Sequence, residues 1–106
     1  MNKDTKVTIA RIDLLFKRRN RTRYWLSIVN DKIDEQYNIF FYSEHSGKRT
    51  RSTPLHSIRN YELEYLENFV KELRAATALS IEFVGFSQQR WPDSQYLIQK
   101  KCDRYE

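Results

Sequence analysis

The first half of the chain alternates between apolar and polar residues with a period of two. Such alternation is typical of a β-strand, because successive side chains point to opposite faces. It runs through residues 7–17, changes phase near Ala10 and Arg11, and returns in residues 24–29 and 36–42, which are rich in β-branched and aromatic residues. The phase change predicts a bulge or bend. We therefore predict three strands in this half, the first of them irregular.

Short connections are expected between these strands. Residues 18–22 separate the first two strands, and Asn20, which tolerates a left-handed backbone, is the expected pivot of a β-hairpin. Residues 43–47 supply turn chemistry and a glycine, so residues 48–53 can return as a short fourth strand. Pro54 is expected to end that strand because it has no N–H to donate to the ladder.

The second half contains one amphipathic helix between strands. Apolar residues recur at three- and four-residue spacing through residues 63–76, which predicts a helix with one buried face. Asn60 is the expected N-cap. Alternation resumes in residues 79–84, and residues 96–99 are expected to form a last strand after a polar loop.

The predicted order of elements is β-β-β-β-α-β-β, which belongs to the α+β class. We expect a largely antiparallel, curved sheet with one long amphipathic helix. A chain of 106 residues fits one domain, so residues 1–106 are assigned to a single domain. In fold outline alone, a curved antiparallel sheet with one long helix is similar to the whirly and purine-rich-element-binding modules.

Large apolar side chains occur on both faces of the predicted sheet. Trp25 shares a face with Arg23, and Phe40 and Tyr42 occupy the corresponding face of the next strand. One helix can cover only one sheet face. The second face must therefore be covered by curvature of the sheet itself together with the C-terminal strands, by a second copy of the chain, or by a ligand. A homodimer is thus a possible partner.

The charge is uneven along the chain. The formal net charge is +5; residues 1–59 hold 13 Lys and Arg against 6 Asp and Glu, whereas residues 60–106 hold 6 against 8. This asymmetry favours a polyanionic partner, although a mild net charge also keeps a small protein in solution. The basic residues cluster beside aromatic ones, and the predicted nucleic-acid-binding residues are Lys17, Arg18, Arg19, Arg21, Arg23, Trp25, Tyr42, Lys48, Arg49 and Arg51.

Four interpretations of these residues stay open. A cationic track beside stacking rings is typical of proteins that hold single-stranded nucleic acid. An arginine-rich β-ribbon can instead enter a groove of duplex DNA. The hypothesis is therefore a small RNA- or DNA-binding module that uses two basic β-hairpins beside an aromatic sheet face. The alternative is a protein-interaction or inhibitor module whose basic loops dock on an acidic protein surface. A solvated charged turn that blunts edge pairing is the simplest competitor.

Catalytic chemistry is not indicated. One cysteine, Cys102, excludes an internal disulfide and a multi-cysteine zinc site. His45 and His56 could act as an acid–base pair only if a hairpin brought them together. We therefore expect no enzyme, no catalytic residue, no metal and no cofactor. No apolar run is long enough for a membrane span and no secretory signal is apparent, so we expect a cytoplasmic protein without a membrane partner.

Overall fold

The computed structural model describes residues 2–16 and 21–99 of the chain. The fold is α+β, as predicted, and combines a four-stranded mixed sheet with two helices. The elements in chain order are α1 (Lys3–Leu15), β1 (Thr22–Asp31), β2 (Gln36–His45), β3 (Arg51–Ile58), α2 (Leu63–Ala76) and β4 (Ser80–Val84). Neither described helix is both long enough and apolar enough to cross a bilayer.

The sheet has the strand order β3-β2-β1-β4. β2 pairs antiparallel with both β1 and β3, whereas β4 pairs parallel with β1. A parallel pairing needs a crossover, and α2 supplies it by connecting β3 at one edge of the sheet with β4 at the other. Two of the three pairings are antiparallel, so the sheet is largely antiparallel, as predicted. The predictions of six strands, of a curved sheet and of one long helix do not match this arrangement, which has four strands and two helices among the described residues.

The segment predicted as the first strand forms helix α1. Its buried residues, Thr5, Thr8 and Ile12, recur at helical spacing. Asn2 caps the helix, because its side chain accepts a hydrogen bond from the Thr5 N–H at 2.8 Å. The hydroxyl of Thr5 also donates to Glu72 in α2 at 2.6 Å. Because residues 3–15 are helical, the first predicted β-hairpin is wrong; Asn20, its expected pivot, lies outside the described residues.

The core lies between the two helices and one face of the sheet. Fully buried Leu26 and Ile28 of β1 contact the same cluster as Leu66 and Phe69 of α2 and Ile12 of α1. The segment after β4 packs on this side too: Phe86 and Ile98 belong to the same cluster, and Trp91 packs against it. Residues 96–99 do not add a strand to the sheet; they contribute an isolated bridge between Arg90 and Leu97.

The opposite face of the sheet, here called the open face, includes Arg23, Trp25, Phe40, Tyr42 and Glu44. Among the described residues, no helix or strand packs over it. Cover by the C-terminal strands, one of the expected possibilities, is therefore not found within residues 2–16 and 21–99. Trp25, Phe40 and Tyr42 are half-buried among their neighbours, so part of each ring faces outward.

Two local predictions were also wrong. Pro54 lies within β3 rather than at its end, opposite Phe40, where the register with β2 shifts. β3 is an edge strand, and an edge strand at an irregularity tolerates a residue without an N–H. Helix α2 begins after Glu62, which makes no side-chain capping hydrogen bond, so Asn60 is not the N-cap.

Candidate nucleic-acid interface

Strand pairing brings two separate basic segments to one end of the sheet. Because β1 and β2 are antiparallel, Thr22 lies opposite His45 and Arg23 lies opposite Glu44. The N–H of Ser46 donates to the carbonyl of Arg21 at 2.9 Å, which ties the β2–β3 loop to the start of β1. Residues far apart in the sequence thus become neighbours.

An open cleft of about 640 Å³ lies at this meeting point. We call it the basic cleft because Arg21, Arg23 and Lys48 line it, against one carboxylate, that of Glu44. Gly47 also lines the cleft and has a φ of +79°, a conformation that strains other residues. The turn therefore depends on glycine for the path that brings Lys48 to the cleft.

Two aromatic rings lie on the open face next to the basic cleft. Trp25 and Tyr42 are cross-strand partners, and their rings stack with centroids 5.3 Å apart and planes 6° from parallel. The guanidinium carbon of Arg23 is 5.2 Å from the indole centroid, within the range of a cation–π contact. We call Trp25 and Tyr42 the ring pair. Arg23, Trp25 and Tyr42 thus lie side by side on the open face, each in contact with the next.

The structure places seven of the ten predicted site residues. Arg21, Arg23 and Lys48 line the basic cleft, and the ring pair adjoins it. Arg49 is exposed in the β2–β3 loop, and Arg51 is exposed at the start of β3, opposite Ser43. The remaining three, Lys17, Arg18 and Arg19, lie outside the described residues.

Sequence reasoning missed Glu44. Its carboxylate lines the basic cleft and accepts a hydrogen bond from the Thr50 hydroxyl at 3.0 Å. A negative charge here opposes phosphate binding, so it limits the potential that the nearby cations create. The signal was present in the sequence: Glu44 is two residues beyond Tyr42, and strand alternation places both on one face.

The two histidines are held apart. His45 lies opposite Thr22, and its Nδ1 is 2.7 Å from the Thr22 hydroxyl oxygen. His56 lies opposite Ile39, six residues earlier on β2, a separation of about 20 Å along the strand. They therefore do not form the acid–base pair considered from the sequence.

His56 belongs instead to a polar cluster with Asp4 and Tyr65. Its Nε2 is 2.5 Å from one carboxylate oxygen of Asp4, and the Tyr65 hydroxyl donates to the other. That bond, helped by burial, raises the pKa of Tyr65 to about 12. The cluster joins α1, β3 and α2 on the side of the sheet opposite the open face. We interpret it as a structural link.

Within the part of the chain that the structure describes, no group of three or more His, Cys, Asp or Glu side chains could hold a metal ion. Comparison with known proteins found no matching family model, no matching curated protein and no matching solved structure.

Proposed function

We propose that this protein binds nucleic acid through the basic cleft and the ring pair. The observation that most supports the proposal is their adjacency: Arg23 both lines the cleft and lies over the Trp25 ring. Phosphates attract the cations, and bases offer flat faces to aromatic rings. One site thus provides contacts for both the phosphates and the bases of a nucleotide chain.

The charge around the site is accessible to a ligand. Arg21, Arg23 and Lys48, the three cations that line the basic cleft, are all exposed, and so is Arg49 in the β2–β3 loop. Arginine suits this role because its planar guanidinium binds phosphate with two hydrogen bonds and also stacks on rings. Nearby cations also raise the local concentration of a polyanion before contact, an effect that salt screens.

The test is a titration of labelled oligonucleotides at about 50 mM and about 200 mM salt. Replacing both Arg21 and Arg23 with Glu should weaken binding to many sequences alike. It should also flatten the slope of log affinity against log salt by roughly 1.4 to 1.8, since each lost phosphate contact contributes about 0.7 to 0.9. Glu44→Gln should change affinity in the opposite direction, because it removes the negative charge from the basic cleft.

Lys6→Glu is the matched control. Lys6 is exposed in α1, on the helical side of the sheet, so the same charge reversal should leave the salt slope nearly unchanged. If the control variant loses as much affinity per charge as the cleft variant, binding reflects net charge rather than this site. A folded protein that binds no oligonucleotide at low salt contradicts the proposal.

An acidic protein surface remains the alternative partner for the same cations. That interaction would also weaken with salt, but it would survive saturating competitor nucleic acid. A homodimer through the open face is a further proposal, supported by the half-buried rings that no described element covers.

A further inference from the structure

We propose that the ligand is single-stranded, with unpaired bases stacked on the ring pair and their phosphates in the basic cleft. This inference rests on the proposed function and narrows its ligand class. The site then has two halves: the ring pair contacts the bases, and the basic cleft contacts the phosphates. Each half can be tested by a different measurement.

The ring pair suits unpaired bases better than a duplex. In a duplex, each base face is covered by its neighbours in the stack, and a protein reaches only base edges and the backbone. Trp25 and Tyr42 stack on each other and are half-buried, so a base can contact only the outward part of the pair, on a face that no described element covers. An unpaired base supplies the flat apolar surface that such rings stack against.

The spacing of the two halves fits one nucleotide chain. The cross-strand row of Arg23 and Glu44 lies two residues beyond the row of Trp25 and Tyr42, a step of about 7 Å on the same face. A base stacked on the ring pair therefore has its own backbone beside the basic cleft. Arg23 belongs to both halves, since its guanidinium faces the indole ring.

The described residues provide no β-ribbon that could enter a duplex groove. Residues 3–15 form a helix, so they do not supply the first strand of the predicted basic hairpin. The second basic segment is residues 46–50, a short loop, and β2 pairs with β1 as far as His45. No two-stranded arm therefore extends beyond the sheet here. Both helices pack on the opposite face, away from the ring pair.

Trp25 itself can report the contact. The chain has two tryptophans, and Trp91→Phe leaves Trp25 as the sole one while keeping a ring against Phe83. This variant is titrated with a single strand of about 12 nucleotides, as DNA and as RNA, and with the corresponding duplexes at low salt. We expect the single strand to quench Trp25 fluorescence and to bind at least about tenfold more tightly than the duplex.

A second comparison separates stacking from charge. Trp25→Leu should weaken single-strand binding by about tenfold with little change in salt slope, because stacking releases few ions. Tyr96→Leu is the matched control, since Tyr96 is 72% exposed and lines a cavity beside α2. It should leave the affinity unchanged. Circular dichroism checks that each variant is folded.

The outcomes distinguish the two proposals. Equal or tighter duplex binding without Trp25 quenching overturns the single-strand inference but leaves nucleic-acid binding standing. Absence of binding to every oligonucleotide by the folded Trp91→Phe protein overturns both. If Trp25→Leu does not fold, the fluorescence titration still decides, because it uses the intact ring pair.

Discussion

Asp4 joins three elements of the fold, and its replacement by asparagine should loosen α1 from the rest. One carboxylate oxygen is 2.5 Å from Nε2 of His56 in β3, and the other accepts a hydrogen bond from Tyr65 in α2. The asparagine side chain would keep one carbonyl oxygen but lose the negative charge and the second acceptor. The variant therefore weakens both contacts without creating a cavity.

The expected loss in the free energy of unfolding follows from the number of contacts that Asp4 makes and from how far those contacts are exposed to solvent. A hydrogen bond to a charged group contributes about 1.5 to 3 kcal/mol when shielded, whereas an exposed ion pair contributes about 0 to 1 kcal/mol. The side chains of His56 and Asp4 are 20% and 24% exposed, so the pair lies between these limits. We expect Asp4→Asn to lower the free energy of unfolding by about 1 to 3 kcal/mol, or roughly 4 to 12 °C in Tm.

The stability difference between wild type and Asp4→Asn should decrease as the pH falls. Burial raises the pKa of Asp4, but hydrogen bonds from His56 and Tyr65 and the charges of His56 and Lys3 outweigh it, so the pKa lies below its ordinary value. A carboxyl group with a lowered pKa in the folded state stabilises the fold above its unfolded pKa. That stabilisation is lost as the pH falls through the folded pKa. The difference between wild type and Asp4→Asn should therefore be full at neutral pH and shrink below about pH 4.

Urea denaturation at about pH 7 and pH 3 measures this difference. Asp34→Asn is the control, because Asp34 is exposed in the β1–β2 turn and loses the same charge. A double-mutant cycle with Tyr65→Phe should give a coupling free energy of at least about 0.5 kcal/mol. Unchanged stability at neutral pH, or strictly additive effects in the cycle, would show that Asp4 does not link these elements.

Two further predictions concern the core and the open face. Leu66 and Leu73 are fully buried in α2, so replacing either with Ala should lower the free energy of unfolding by about 2 to 5 kcal/mol; an unmoved denaturation midpoint for both would contradict the packing of α2. Sedimentation at micromolar concentration should show a dimer that Trp25→Ser or Phe40→Ser weakens. A single-stranded oligonucleotide should dissociate this dimer, because the second copy and the oligonucleotide would both bind the open face. A monomer at every concentration would contradict the dimer proposal.

Strong local patterns were sufficient for most elements. Residues 24–29, 36–42 and 79–84 lie in β1, β2 and β4 or directly beside them, and residues 63–76 coincide with α2. In each case large apolar side chains mark one face clearly. Leu26 and Ile28 are fully buried on one side of β1, while Trp25 is half-buried on the other. Periodicity is reliable where burial and hydrophobicity agree.

In helix α1, burial and hydrophobicity do not agree. Its buried face holds Thr5 and Thr8 beside Ile12, whereas Leu14 is 78% exposed. The threonine hydroxyls are satisfied by Asn2, Glu72 and the Asp4 carbonyl, so polar residues can be buried there without a large penalty. A hydrophobic pattern cannot show this face, since its burial depends on a partner in α2 that lies 67 residues away.

The sequence alone determined which residues are basic, which are aromatic, and which faces of β1 and β2 they occupy, because alternation along a strand is a local property. Strand pairing in the folded chain is what places Arg21 and Arg23 in one cleft with Lys48. That proximity follows from the antiparallel register of β1 and β2, which long-range pairing sets. Strand order was decided in the same way: β4 lies parallel to β1 because α2 crosses the sheet and buries its apolar stripe on the way, a choice made by packing across the whole core.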